Sequence, residues 1–568
     1  MKIFNAMKLK KVSEEDIDFL YDMLKERDPI ENILHKKIPT YDEYVKFVTK
    51  SHPYDGWYII MLDSQKLGHI NIIHKENYYV GWFIKKEFQN LGIAIKAFEM
   101  LKKLHKSSIY TGKSNPKNIR SHKFMEKLGF KLTNKFPDHL VFELDNSANT
   151  NKIYTKNELR KSFSLFNEAK KFHPGGVSGI NRPYNFVENE YPIFFQKGKG
   201  GKVMDVDGNE YIDMLCSYGP IVIGHREEEI DDAVIHQIKN FGFNFSLTQP
   251  IHNILLKKIT EIIPCAEQTI LVKTGSDATS AAIRAARAFT NKNKIIRCGY
   301  LGWHDWCIDV KGGIPENAYK DIIDFNYNDF EGLKKIIEEN ENEVAAVILW
   351  PIHAPPGNNV EFPKDNFLHK IRELTSKKNI ILIFDEMRSG FRVDLGGAQK
   401  KYNVTPDLAT FGKAMANGYS IAALTGKREI LEVYSKKAFI SGTYFGNSLS
   451  MAAALKTIEF IETNDVITDL NQKGEYFKKK MDDLIQNYNN FCEFSGSPWM
   501  PYLTFRRDKN EIYKKNREIF FTEMIRQKVF WQPYHHSYFC YRHTYDDIDY
   551  VLTCVENSLK KILAKNDV

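Results

Sequence analysis

Cysteine is scarce in this 568-residue sequence. There are seven (Cys216, Cys265, Cys298, Cys307, Cys492, Cys540 and Cys554), none in a CxxC pair and none in the first 215 residues. An odd, scattered set excludes a disulfide framework and fits reduced thiols. Long apolar runs are missing too: no stretch reaches the roughly 18 residues a membrane helix needs. The start, MKIFNAMKLKKVSEEDIDFL, has no apolar segment ending in a small-residue cleavage site. These absences predict a soluble, cytoplasmic protein. No arginine-rich arm or basic motif interleaved with aromatics occurs, and a formal net charge of +8 is mild for this length. Nucleic acid is therefore not an expected partner.

Apolar residues are plentiful. With 43% hydrophobic and 13% aromatic residues the chain can bury sizeable cores, and its length predicts two or three domains. Residues 1–146 alternate strand-like runs (GWYIIML, KLGHINIIH, YYVGWFI, HLVFEL) with amphipathic helical stretches, as a small α/β domain does. The polar segment that follows, DNSANTNKIYTKNELRKSF, reads as a linker over 147–165 that runs into a new helix. From 166 onward, buried-strand runs such as AAVILW, IILIFDE and IAALTG alternate with helical patterns. That alternation predicts a mostly parallel sheet flanked by helices.

Within this second region, FGKAMANG sets Lys413 among small apolar residues. Upstream, NIILIFDEM ends a buried strand in Asp385 and Glu386, at the strand end where open α/β sheets bind ligands. Further upstream, LVKTGSDATSAAIRAARAF is a strand, a turn at Gly275 and a helix whose first amides and Ser276 hydroxyl suit a phosphate. A phosphate cup, a strand-end aspartate and a buried lysine, in that order, are what pyridoxal phosphate requires. The lysine forms the Schiff base, the aspartate keeps the pyridine nitrogen protonated, and the cup anchors the phosphate. A free amine near neutral pH means lowering a lysine pKa of about 10.4 by roughly three units, which burial can supply.

From about His173 the chain resembles the class III, fold-type I aminotransferases, and most closely their glutamate-1-semialdehyde aminomutase-like branch. HPGGVSGINR, DVDGNEYIDM, YGPIVIGH, TGSDATSAAIRAARA, GYLGWHDW, IFDEMRSGFRV, GGAQKKYNVTPDLATFGKAMANGY and GTYFGNSLSMAAA occur in the family's order. The resemblance implies a large domain over about 220–435 and a small α+β domain from 166–219 plus 436–568. It implies Lys413 as the Schiff-base lysine and Asp385 as the pyridine partner, with Gly275 and Ser276 on the phosphate and Tyr300 stacked on the ring. Thr443 would reach the phosphate of a neighbouring subunit, so a homodimer is expected. Arg182 matches the residue that meets the substrate carboxylate, and Tyr218, His304 and Trp303 would line the substrate pocket. No metal is expected. Two departures touch the pocket: Tyr300-Leu301-Gly302 stands where the family commonly has Tyr-His-Gly, and Trp350-Pro351 where it commonly has Glu-Pro.

In the first region, a strand runs into Gln89-Asn90-Leu91-Gly92-Ile93-Ala94, where a helix begins. Successive amides there, with Gly92 and Ala94 keeping the approach clear, suit a pyrophosphate. NPKNIRSHKFMEKLGF supplies a second helix ending at Gly129-Phe130. Together they resemble the Gcn5-related N-acetyltransferases (GNAT). The resemblance assigns Gln89 through Ala94 to the acetyl-CoA pyrophosphate and places Asn118 near the thioester. Many members carry a tyrosine as general acid where this chain has Met125; Ser121, His122 and Tyr79 are the available substitutes. A domain that installs an amine joined to one that acetylates amines suggests sequential action on one substrate, by analogy a sugar precursor. An aminomutase with a non-catalytic acetyl-CoA sensor is the alternative.

Overall fold

The computed structural model describes residues 7–26, 38–74, 78–89, 92–105, 109–128, 130–145, 155–179 and 183–566. Its contacts divide the chain into two compact units, Met1–Lys152 and Ile153–Val568.

The first unit is built on seven strands: β1 (Met7–Lys11), β2 (Gly56–Leu62), β3 (Gln65–His74), β4 (Tyr78–Ile84), β5 (Ile109–Ser114), β6 (Lys131–Lys135) and β7 (Leu140–Asp145). They form one sheet in the order β1-β2-β3-β4-β5-β7-β6. All neighbours are antiparallel except β4 and β5, which pair in parallel only at Tyr78–Tyr110 and Tyr79–Thr111. The helix Ile93–Leu104 buries Ile93, Ala97, Phe98 and Leu101, one stripe at helical spacing, against this sheet.

The second unit opens with the helix Arg160–Ala169, inside the stretch expected to be linker. The carboxylate of Asp207 accepts from the amides of Lys161 and Ser162 at 2.8 and 2.9 Å, capping that helix onto the unit. Strands β8 (Phe195–Lys199), β9 (Lys202–Asp205) and β10 (Glu210–Asp213) join the distant β20 (Val529–Phe530) in one sheet, and β18 (Cys492–Ser497) and β19 (Met500–Phe505) form a hairpin. Early and late segments of this unit therefore share one sheet.

Its central sheet comprises β11 (Gln268–Val272), β12 (Lys294–Cys298), β13 (Ile322–Asp324), β14 (Val344–Leu349), β15 (Ile381–Asp385), β16 (Leu408–Phe411) and β17 (Ala422–Gly426), in the order β11-β17-β16-β15-β14-β12-β13. Only β17 runs against the others. Every residue of β14, β15 and β16 is buried, as strands covered on both faces by helices must be. Because β11, β15 and β16 point the same way, the segments leaving their carboxyl ends, which carry Gly275, Asp385 and Lys413, emerge along one edge. All seven cysteines are free and buried, and no helix among the described residues is long and apolar enough to cross a membrane.

Candidate active site

Lys413 follows the end of β16 at Phe411 and begins a short 3-10 turn through Ala416. It adopts φ +44° and Asn417 φ +45°, left-handed values that cost a non-glycine residue energy. What holds the loop is Asn417. Its Oδ1 accepts from the amides of Val222 and Ile223 at 3.1 and 2.9 Å, and its Nδ2 donates to Gly224 O at 2.8 Å. The partly buried Lys413 amine is lowered to about 7, first by burial and then by the Arg388 cation, with Asp385 opposing and Arg392 adding.

Asp385, 4% exposed, ends β15. Its Oδ2 accepts from Trp350 Nε1 at 3.0 Å; Oδ1 accepts from Met387 N at 3.0 Å and Thr410 Oγ1 at 3.2 Å. Burial raises its pKa, and these donors pull the other way by favouring the carboxylate. Its neighbour Glu386 is spent on the fold, accepting from Ser389 Oγ and from the amides of Ala398 and Gln399.

At the third corner, Thr274 and Asp277 cap the helix Gly275–Thr290 reciprocally. The amides of Gly275 and Ser276 remain without an acceptor inside the helix. Met387 ties the three corners together. A Cβ on Gly275 would lie 3.0 Å from its Sδ and one on Gly412, next to Lys413, 2.8 Å.

The other expected residues divide. Tyr218 lies in a run of left-handed backbone, Cys216 to Gly219, with φ from +48° to +100°. Its ring stands edge-on to His535 at 4.9 Å, and its buried hydroxyl has no hydrogen-bond partner among the described residues. Tyr300 is 43% exposed, and burial raises its phenol while the Arg388 charge lowers it. Ser276 Oγ accepts from Trp303 N at 3.2 Å, which brings the loop after Tyr300 onto the phosphate corner. His304 does not join this group. Its Nδ1 bonds Ser280 Oγ at 2.7 Å, and it lines a separate cavity with Arg284, Arg287 and Trp306 on the side of the helix. Thr443 is exposed in the loop between Lys436 and Ser448. Arg182 lies outside the described residues.

Three contributors went unremarked in the sequence. Met387 and Arg388 stand in the quoted IFDEMRSGFRV, two and three residues past Asp385, and His535 has no motif to announce it.

In the first unit, the Gln89–Ala94 loop and Asn118 follow the carboxyl ends of β4 and β5, the adjacent parallel strands whose pairing stops after two residues. Gly92, φ +79°, caps the helix Ile93–Leu104, and Gln89 Nε2 donates to Ile84 O at 2.8 Å; Asn90 and Leu91 lie outside the described residues. Asn118 Oδ1 accepts from Ser121 N at 2.9 Å, so this side chain is a helix cap. Met125 is 1% exposed and packs its sulfur against Gly112, in the core. His122 Nε2 donates to Asn115 O at 2.9 Å, and the Lys113 amine lies 5.3 Å from the Tyr79 ring centre.

A family model described as aminotransferase class-III matches residues 184–519, and one described as an acetyltransferase (GNAT) domain matches residues 7–131. The chain belongs to the class-III aminotransferases. It carries a GNAT domain ahead of the aminotransferase. It is 56% identical over 407 residues to the 3-aminobutyryl-CoA aminotransferase of Cloacimonas acidaminovorans (strain Evry), covering 72% of this chain and 98% of that protein. It is 35% identical over 428 residues to the glutamate-1-semialdehyde 2,1-aminomutase of Methanosphaera stadtmanae, covering 71% and 99%. Among solved structures, the FumI protein of Sphingopyxis sp. MTA144, determined with PLP, aligns with TM-score 0.68 at 25% identity over 72% of this chain and 98% of that one. An omega-transaminase from Sphaerobacter thermophilus shares the fold, with TM-score 0.64 at 22% identity over 72% and 100%.

The aminotransferase unit fits pyridoxal phosphate. Asp385, with its oxygens held by donors, suits the ring nitrogen; the free amides of Gly275 and Ser276 suit the phosphate; the depressed amine of Lys413 suits the aldehyde. The orphaned Tyr218 hydroxyl adds a buried polar atom without a protein partner. When bound, the cofactor withdraws electrons from the carbon bearing the substrate nitrogen, so that carbon can lose a proton.

Proposed function

We propose that the aminotransferase unit moves nitrogen from an amino-acid donor to a 3-oxoacyl thioester, and that the GNAT unit then acetylates the new amine with acetyl-CoA. The observation that carries the acceptor class is the 56% identity across nearly the whole of the 3-aminobutyryl-CoA aminotransferase. That identity favours an acyl thioester over a sugar precursor. The Lys413 Nζ, which burial lowers to about 7, is the base that takes and holds the proton of the substrate carbon. Gly275, Ser276 and Asp385 hold the cofactor while this happens. The exposed Phe439 and Tyr444 flanking Thr443 support a homodimer in which this loop completes the partner's phosphate cup.

The test is the purified full chain, loaded with pyridoxal phosphate, given acetoacetyl-CoA and single amino acids. The mass of 3-aminobutyryl-CoA is expected, and with acetyl-CoA added, free thiol and an N-acetylated product. Amination without acetylation would remove the second half of the proposal; no amination with any amino acid would remove the first.

The 35% identity to a glutamate-1-semialdehyde aminomutase supports a second reading, a shift of nitrogen within one molecule. Nitrogen-labelled glutamate separates the two, because an aminomutase product carries no label.

A further inference from the structure

The described part of the site holds two arginines near Asp385, and they are used differently. Arg392 is 1% exposed and fully engaged by backbone, its Nη1 donating to Phe539 O at 2.9 Å and its Nη2 to Gly219 O at 2.7 Å. It fixes the backbone beside Tyr218. Arg388 is partly exposed, and among the described residues no carboxylate lies within ion-pair distance of it. Its Nη1 donates to Ala354 O at 2.5 Å, and its Nη2 faces His535 Nε2 at 3.4 Å. Of a guanidinium's five N–H donors, the rest have no acceptor among the described residues.

The setting puts the guanidinium on the cavity that Asp385 lines. The guanidinium lies 4.6 Å from the ring centre of Trp350, whose indole in turn binds Asp385. Stacking on the indole fixes the plane of the fork and leaves its edge free. Met387, adjacent in the chain, touches both Gly275 and Gly412. His535 donates Nδ1–H to His536 O at 2.9 Å, which leaves Nε2 as an acceptor toward Arg388, and its ring abuts Tyr218 with the unpartnered hydroxyl. The Arg388 charge is felt at Lys413, Tyr300 and His535 alike. Asp385, which lines the same cavity, already accepts from Trp350, Met387 and Thr410.

We propose that Arg388 is the specificity-determining residue that binds the carboxylate of the amino-acid donor, with the Tyr218 hydroxyl as a second donor to it. This rests on the transaminase reading above. An unpaired planar fork matches two carboxylate oxygens, whereas a simple amine or a thioester offers it no anion. Trp350 stacks on the guanidinium without neutralising it.

The test uses the holoenzyme and its Arg388→Met and Arg388→Lys variants in the donor half-reaction. Glutamate and alanine serve as donors, with glutarate and propionate as competing carboxylates that cannot react. Arg388→Met is expected to raise the donor KM and the inhibition constant of the matching acid together, by roughly 10- to 100-fold, the scale of one charged hydrogen-bonded pair. The rate at saturating donor should change much less. Arg388→Lys, which keeps the charge but not the fork, should fall between. If Arg388→Met lowers the saturated rate while KM and the inhibition constants stay put, the residue only positions Lys413 and the proposal is overturned. If neither donor reacts with the wild-type protein, the transaminase reading itself falls, and this inference with it.

Discussion

The indole Nε1 of Trp350 donates to Oδ2 of Asp385 across 3.0 Å, so an aromatic residue supports the buried carboxylate at the centre of the site. Trp350→Phe keeps the ring for Arg388 to stack on and removes the donor. One buried carboxylate oxygen then loses a partner, at about 1–3 kcal/mol. The apoprotein's thermal midpoint should fall, and bound pyridoxal phosphate should restore part of the loss. An unchanged midpoint would mean that solvent replaces the indole there.

The Lys413 amine gives the apoprotein a pH signature. Its pKa is about 7 in the folded chain against an ordinary 10.5. Between those values the unfolded chain holds a proton that the folded chain lacks, so stability rises with pH across that window, by up to about 1.4 kcal/mol per pH unit. Below about 7 the folded amine is charged as well and the slope vanishes. Lys413→Met removes the effect and the burial penalty with it, so the variant's lead in urea midpoint over the wild type should shrink from pH 7 to 10. A constant difference would show that the amine is not held near neutrality. The same pKa predicts activity falling as pH drops through about 7.

The sequence made the sheet core legible because β14, β15 and β16 are continuous apolar runs, the mark of strands buried on both faces. It also placed Asp385 and Lys413, because a charged group among small apolar residues at a strand end has few structural reasons to be there. The helix expected after the linker starts earlier, at Arg160, since its first turn is fixed by a cap from Asp207, forty-six residues from Lys161, which no local pattern reveals. His304 was expected in the pocket with the family resemblance; here its ring bonds Ser280 on the side of the helix. Arg388 and His535 escaped notice for the converse reason: they meet at 3.4 Å from positions 147 residues apart.

Asn417 is the tie between the lysine loop and the segment after Tyr218. Asn417→Gly keeps the left-handed backbone available, so any loss comes from the side chain. The amides of Val222 and Ile223 would lose their shared acceptor at 3.1 and 2.9 Å. Two buried amides without partners cost roughly 2–6 kcal/mol. The expected result is a lower unfolding midpoint for the aminotransferase unit together with weaker retention of pyridoxal phosphate on gel filtration. Full retention would place the loop's rigidity elsewhere, in the 3-10 turn itself.

Met125 shows why restoring a family residue need not restore a family mechanism. The side chain is buried against Gly112, where an added Cβ would sit 2.7 Å from its sulfur. Met125→Tyr forces a larger, rigid ring into that space, an overpacking worth about 1–3 kcal/mol. If the phenol stays inside, it adds a polar group to an apolar core that includes Phe98, Phe130 and Phe142. The variant should therefore lower the GNAT unit's thermal midpoint without raising the rate of thiol release from acetyl-CoA. A faster release with an undiminished midpoint would mean that the helix Ile119–Lys127 can turn residue 125 toward the thioester, and that a missing acid, not core packing, is what this position contributes to the acetyl-transfer rate.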